Sequence, residues 1–443
     1  MKRLAIVDYL RSAGGIERVL RGLARALLEI PEAADWDITL LLGRHDSAHR
    51  PAPWPAELTG PRLRVEWLGP ETGAAPWLDG VAHGHGLGIG DLAAVRLAAM
   101  AGARLVRQVG PMAWRRWLGD PGALLGAASG RFDLLYVPYP FEITAPRLDC
   151  AVVATPADFN FKHFLPARSL ARLVQERAVR SWMDRADRLI FYGEAMLGEL
   201  RTFYPEHLPK SEAVHLGLEV VGPPPTADAI ARLKRERGLP DRFALVTGWV
   251  APHKNQLAVV DAAVALGRRG HQLPIVFAGP NAGQLGEPPT PGHRAPYVEA
   301  VRARLSAAGL QAGRDFHVLG FVSDADIQAL YRLATVFLLP SRYEGFGLSG
   351  LEAMLARCPV VLSEIPPLLE QLQLLGDVAL TFPPDEPLAL ADRIERTLGD
   401  PRATATRVAL AAARVPEAFD WRKTARAYLQ AFDVVLAARR TGR

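Results

Sequence analysis

Cysteine is nearly absent: Cys150 and Cys358 are the two in 443 residues, both in apolar surroundings, with no CxxC pair and no histidine–cysteine cluster. That spacing excludes a disulfide framework and a cysteine-ligated zinc site, and it makes a reducing cytoplasm the expected location. No apolar run approaches eighteen uninterrupted residues, so no helix is expected to span a membrane. The apolar stretch after Met1-Lys-Arg stops at Asp8, which reads as a first buried strand and not a signal peptide. Neither sign of charge dominates. Lys plus Arg number 52 against 47 Asp plus Glu, a formal net charge of +5. That is compatible with anionic ligands or an anionic membrane surface, and without a basic tail no nucleic-acid partner is expected. Lysine itself is scarce (Lys2, Lys162, Lys210, Lys234, Lys254 and Lys423), so a lysine inside a motif stands out.

What is present is an ordinary globular composition, 49% apolar and 22% charged, on a chain too long for one core. Leu4–Val7 reads as a strand, the stretch from Gly14-Gly15 to Leu27 as loop and amphipathic helix, and Asp37–Leu42 as the next strand. Strand–helix–strand at this length predicts a parallel sheet. Pro51–Asp91 is loose and proline-rich; its glycine run Gly84–Gly90 follows no clear strand and reads as a loop into a helix over 92–107. Arg96, Arg104, Arg107, Trp114 and Trp117 give the 92–117 region a cationic and aromatic character suited either to anionic lipid headgroups or to an ordinary solvated surface. Further strands are expected at Asp133–Val137 and Ala151–Ala154. Three prolines in Val221–Asp228 mark a stiff linker. The alternation then restarts with strands at Phe243–Thr247, Pro274–Gly279, Phe316–Val322, Ala334–Pro340 and Cys358–Leu362. Ser323 or Asp324 is expected to cap the helix that follows, which makes Asp324-Ala-Asp326 a helix start and not a metal motif.

The most informative stretch is Ser341-Arg-Tyr-Glu-Gly-Phe-Gly-Leu-Ser-Gly-Leu-Glu-Ala-Met354. A buried strand leads in, glycines 345 and 347 make the turn, and a helix starts near Leu348 or Ser349. A glycine loop at a helix N-terminus suits an anion. Glu344 and Glu352 repel a bare phosphate but can accept hydrogen bonds from hydroxyls, as a sugar diphosphate offers. Ser349-Gly-Leu-Glu352 also fits a capping box, with Glu352 closing the helix start.

Glu344 to Met354 resembles the Glu-x7-Glu motif of the family 4 retaining glycosyltransferases, members of the glycosyl transferases group 1. The resemblance extends to Gly248-Trp-Val-Ala-Pro-His-Lys-Asn255, where Lys254 and Asn255 match while Trp249 and His253 depart, and to Phe419-Asp-Trp421. It implies an α/β GT-B fold: two Rossmann-like doubly wound domains with an interdomain cleft, and a C-terminal helix crossing back to the first. The expected domains are residues 1–220 with 419–443 on the acceptor side, and 221–418 for the nucleotide sugar. The implied activity is transfer of a hexose, with retention, from a nucleotide diphosphate sugar to a glycan or lipid-linked acceptor. GDP-mannose is the donor toward which Lys254-Asn255 leans, and polysaccharide biosynthesis is the setting.

By the same resemblance Glu344, Lys254 and Asp158 carry the catalysis, with Asp158 orienting the acceptor. Gly14, Gly15, His253, Lys254, Phe321, Val322, Glu344, Gly345, Phe346, Gly347, Leu348 and Glu352 bind the donor. No metal and no cofactor beyond the sugar nucleotide is expected, and a peripheral contact with the inner face of the membrane would run through 92–117. The family's customary histidine before Asp158 is Ala157 here; Lys162 and His163 lie one helical turn on. Two other readings fit the same residues: an epimerase or hydrolase acting on the nucleotide sugar itself, and a non-catalytic sugar-nucleotide or glycan-binding subunit.

Overall fold

The structure, a computed structural model, describes residues 1–8, 15–43, 60–68, 121–140, 143–218, 224–286 and 296–441. Gly14, the Gly84–Gly90 loop and the Arg/Trp-rich 92–117 region lie outside the described residues. The chain forms two compact units, Met1–Gly217 with Asp420–Arg443, and Leu218–Phe419.

The first unit is built on strands β1 (Lys2–Asp8), β2 (Trp36–Gly43), β3 (Leu63–Leu68), β4 (Leu134–Val137), β5 (Ala151–Ala154), β6 (Arg188–Phe191) and β7 (Ser211–Ala213). They pair in the order β3-β2-β1-β4-β5-β6-β7, every pairing parallel, with Leu4 opposite Ile38 on one side and Leu134 on the other. The middle strands are continuous apolar runs because helices cover both faces of a parallel sheet. Helix Gly15–Glu29 packs Leu20, Leu23 and Leu27 into the same core as Leu4 and Ile6.

The last helix, Trp421–Arg440, completes that core. Tyr428, Leu429, Phe432 and Val435 are buried beside Trp36 and Tyr136, each side chain contributing about 1.5–3 kcal/mol by area removed from water. The Tyr136 hydroxyl donates to that of Tyr428 at 3.2 Å, and the Trp36 and Phe432 rings lie 5.9 Å apart.

The second unit repeats the plan with β8 (Ala244–Thr247), β9 (Ile275–Ala278), β10 (Phe316–Gly320), β11 (Val336–Leu339), β12 (Val360–Ser363) and β13 (Leu380–Phe382). Its order is β10-β9-β8-β11-β12-β13. In both sheets the winding reverses after three strands, between β1 and β4 and between β8 and β11. Ligands of doubly wound sheets bind at the carboxyl ends of the strands at such a reversal. In the second unit these ends are Thr247 and Leu339.

Several local expectations are corrected. The loose Pro51–Asp91 stretch contains β3, an edge strand with Val65 and Trp67 partly exposed, so its residues lack a buried run. Helix Pro121–Ser129 was not anticipated. Arg357 lies in the left-handed region at φ 64°. It ends helix Leu348–Leu355 with Cys358 N–H donating to the Ala353 carbonyl at 2.9 Å, the helix-terminating turn that glycine adopts without steric cost.

Candidate active site

Two loops leave the strand ends at the reversal of the second sheet. One runs from Gly248 to Asn255 and into helix Gln256–Arg268; the other runs from Pro340 to Gly347 and into helix Leu348–Leu355. They bring Lys254 and Glu344, ninety residues apart, into an ion pair with Nζ 2.6 Å from Oε1. The Ser341 hydroxyl donates to the same oxygen at 2.6 Å. The two side chains are only 19% and 10% exposed, so water screens this pair less than a surface one. Lys254, one of the scarce lysines, is therefore no idle cation at a helix start.

The loops are tied from behind through their carbonyls. Asn255, in the left-handed region at φ 56°, donates from Nδ2 to Pro340 O at 3.0 Å and Pro384 O at 2.7 Å. Ser363 Oγ donates to Ser341 O, Gln371 Nε2 to Phe346 O, and Arg342 N–H to His253 O at 2.8 Å. The amide oxygens of Asn255, Gln256 and Gln371 are buried without a hydrogen-bond partner. Each such group costs about 1–3 kcal/mol, a cost carried so that the amide N–H groups can hold the loops.

Gly347 occupies the cap position of helix Leu348–Leu355 at φ 92°, with no side-chain cap. A Cβ there would lie 2.5 Å from Leu368 Cδ2. The capping box read from Ser349 and Glu352 is not formed, because the helix already begins at Leu348 and Ser349 lies inside it. No side chain caps the first-turn amides, so Gly345, Phe346, Gly347 and Leu348 lead into a helix start of the kind that suits an anion. Glu352 is instead buried, 5% exposed, and accepts from the Tyr331 hydroxyl at 3.2 Å.

Toward β9 and β10 the floor is glycine. Gly248 N–H donates to Ala278 O at 2.9 Å and Gly279 N–H to Gly320 O at 2.7 Å. On either side stand two exposed aromatic residues, Trp249 at 55% and Phe321 at 45%; Val322 beside Phe321 is half-buried. The Trp249 backbone is pinned, its carbonyl accepting from Gln256 Nε2 at 2.8 Å, while Val250 exchanges two hydrogen bonds with the Asn281 amide.

His253 sits beside Lys254. Burial first, and the Lys254 charge second, lower its pKa from 6.5 to about 4 against an opposite pull from Glu344. Between those values the unfolded chain binds a proton that the folded chain does not, so stability falls as pH drops through that window. His253→Gln should remove this share of the acid loss. The variant is expected to lose about 2 kcal/mol less than the wild type between pH 7 and pH 4.5 in urea unfolding. Equal losses would show that His253 is already protonated in the folded chain.

In the first unit Gly15 opens helix Gly15–Glu29 and is exposed. The Asp158 carboxylate accepts from Asn160 N–H at 3.0 Å at the start of the short helix Asn160–Phe164. Lys162 pairs with Glu176 and lies 4.7 Å over the Tyr204 ring, and His163 pairs with Glu199 at 2.6 Å. Both residues near the missing histidine thus have carboxylate partners of their own. Asp324 and Asp326 head helix Asp324–Leu333, where Ser323 Oγ accepts from Asp326 N–H at 3.1 Å. Among the described residues no three His, Cys, Asp or Glu side chains are grouped to hold a metal ion, and no helix is long and apolar enough to cross a membrane.

Sequence reasoning missed Ser341, Gln371, Asn281 and Tyr331. Ser341 opens the motif stretch, but a lone serine has no spacing that marks it as a carboxylate donor. The other three come from separate segments and become neighbours of the loops only in the fold.

Two doubly wound parallel sheets in one chain are the GT-B architecture. Residues 230–414 match the family model described as "Glycosyl transferases group 1". Over 190 residues the chain is 32% identical to an alpha-D-kanosaminyltransferase of Streptomyces kanamyceticus, covering 42% of this chain and 44% of that protein. Over 182 residues it is 32% identical to the O-antigen chain mannosyltransferase B of Escherichia coli, covering 40% and 42%. The chain thus spans less than half the length of these two relatives. The crystal structure of Anabaena HepE in complex with UDP and glucose superposes with a TM-score of 0.64, at 17% identity, covering 98% of this chain and all of that one. At that identity the likeness concerns the fold.

Proposed function

We propose that this protein is a retaining glycosyltransferase of family 4 that moves a hexose from a nucleotide diphosphate sugar to a glycan or lipid-linked acceptor. The observation that carries the reading is the Lys254–Glu344 pair at the strand-order reversal, beside a helix start with no capping side chain. In the ion pair each charge neutralises the other. A bound diphosphate gives Lys254 a stronger partner, and Glu344 then accepts hydrogen bonds from sugar hydroxyls. The amides of Gly345, Phe346, Gly347 and Leu348 line the sugar and phosphates, Glu352 takes the ribose hydroxyls, and Phe321 and Val322 flank the base. The resemblance also assigns His253 to the phosphates, Gly14 and Gly15 to the donor, and Asp158 to the acceptor.

In this reading the acceptor oxygen bonds to the anomeric carbon on the face from which the diphosphate departs. The carbon–oxygen bond to phosphate breaks, and the leaving phosphate oxygen takes the acceptor's proton. Lys254 compensates the charge that develops on the diphosphate. No side-chain base is required, and no metal is called on.

Lys254-Asn255 leans to GDP-mannose, and one relative is named a mannosyltransferase, whereas the HepE crystals hold UDP and glucose. A nucleotide-release assay over GDP-mannose, UDP-glucose and related donors, with and without glycan acceptors, tests the reading. Release of one nucleotide that depends on acceptor is the expected result. Release at the same rate without acceptor would make the protein a hydrolase, conversion of the nucleotide sugar without acceptor would make it an epimerase, and donor binding with neither release nor conversion would make it a binding subunit.

A further inference from the structure

We propose that Tyr331 is a positioning residue that sets the preference of this site for ribose, by fixing the carboxylate of Glu352. The proposal rests on the reading of Glu352 as the ribose ligand.

Tyr331 lies on helix Asp324–Leu333 and is 1% exposed. Its ring stands edge-on to Phe337 of β11, with centroids 5.3 Å apart and planes at 85°. The ring is thereby anchored on the sheet, and its hydroxyl donates to Glu352 Oε2 at 3.2 Å between two buried side chains. A glutamate side chain turns about three torsions, and a carboxylate recognises a pair of hydroxyls only when its plane is set. The Tyr331 bond sets that plane from the second helix, ahead of any ligand, which is how a supporting hydrogen bond prepares a binding group. Phenylalanine would fill the same space against Phe337 without the bond.

A purely structural reading is that Tyr331, like other buried tyrosines, needs a partner for its O–H and finds Glu352. That role moves stability alone. The positioning role moves the ratio of affinities for ribose and deoxyribose ligands, because the ribose hydroxyl is the group Glu352 would meet. The full chain is therefore titrated calorimetrically with GDP and UDP and with their 2′-deoxy and 3′-deoxy counterparts, in the wild type, Tyr331→Phe, Glu352→Gln and Phe337→Leu.

The wild type is expected to prefer the ribose form by about tenfold or more, and Glu352→Gln to lose that preference. Tyr331→Phe should lose most of it, by about fivefold, with affinity for the deoxy forms unchanged. Phe337→Leu loosens the same packing without touching the hydrogen bond and should keep the preference while melting earlier. If Tyr331→Phe keeps the wild-type ratio while Glu352→Gln loses it, the positioning role is wrong and the Glu352 reading survives. If Phe337→Leu loses the ratio too, packing and not the hydroxyl is responsible, and the proposal falls. A wild type with no preference, or a Glu352→Gln variant that retains it, overturns the Glu352 reading and Tyr331 with it.

Discussion

Lys254→Ala is expected to lower kcat for nucleotide release by about 10²–10³-fold, the usual loss when one preorganised donor to a developing negative charge is removed. The loss should fall on kcat more than on KM, because the diphosphate carries more charge as it leaves than when it is bound. Glu344→Ala should lose activity as well, but with a different profile: sugar hydroxyls are held before and during transfer, so KM for the donor should rise along with the fall in kcat. Truncating either residue also strands its partner. In Lys254→Ala the Glu344 carboxylate keeps the Ser341 hydroxyl but loses its counter-charge in a half-buried place, which is destabilising. Melting curves must therefore accompany the kinetics, so that a fall in folded fraction is not read as a fall in rate. Full activity in both folded variants would remove the assignment of this site.

Gly279→Ala is expected to destabilise the second unit by about 3 kcal/mol or more, a value at the upper end for single substitutions. The added Cβ would lie 2.0 Å from the Gly248 carbonyl oxygen and 2.6 Å from its carbon. Those atoms are backbone and cannot rotate away. They belong to a loop fixed by Gly248 N–H on Ala278 O and by Asn281 on Val250. The strain would be relieved only by moving the loop that ends in Lys254, so donor affinity should fall together with stability. Gly283→Ala, four residues away, is the control, since its Cβ would meet nothing nearer than 3.8 Å. Urea unfolding of the two variants beside the wild type measures the difference, and equal midpoints for all three would contradict the close approach of these loops.

The central strands of both sheets were legible because they are buried on both faces and so appear as unbroken apolar runs. The edge strand Leu63–Leu68 was not: with one neighbour and partly exposed faces it carries no such run, and the prolines around it point to a loop. The Glu344–Glu352 stretch was legible as a motif, yet the sequence contained no sign that Lys254 and Glu344 pair, because their meeting depends on β8 and β11 being neighbours in the sheet. The misread capping box has a simple cause. A serine three residues before a glutamate satisfies the spacing anywhere along a helix, and Gly347, with a backbone conformation that disfavours most residues, had already taken the cap position two residues earlier.

The first unit is assembled from both ends of the chain, with Trp421–Arg440 supplying Tyr428 and Phe432 to the core laid down by Leu4, Trp36 and Tyr136. On the ribosome this imposes an order. Residues of the second unit emerge as one contiguous block and can close their own core during synthesis. The first unit, although its sheet is translated earlier, keeps the apolar face of that core uncovered until Trp421–Arg440 has left the exit tunnel.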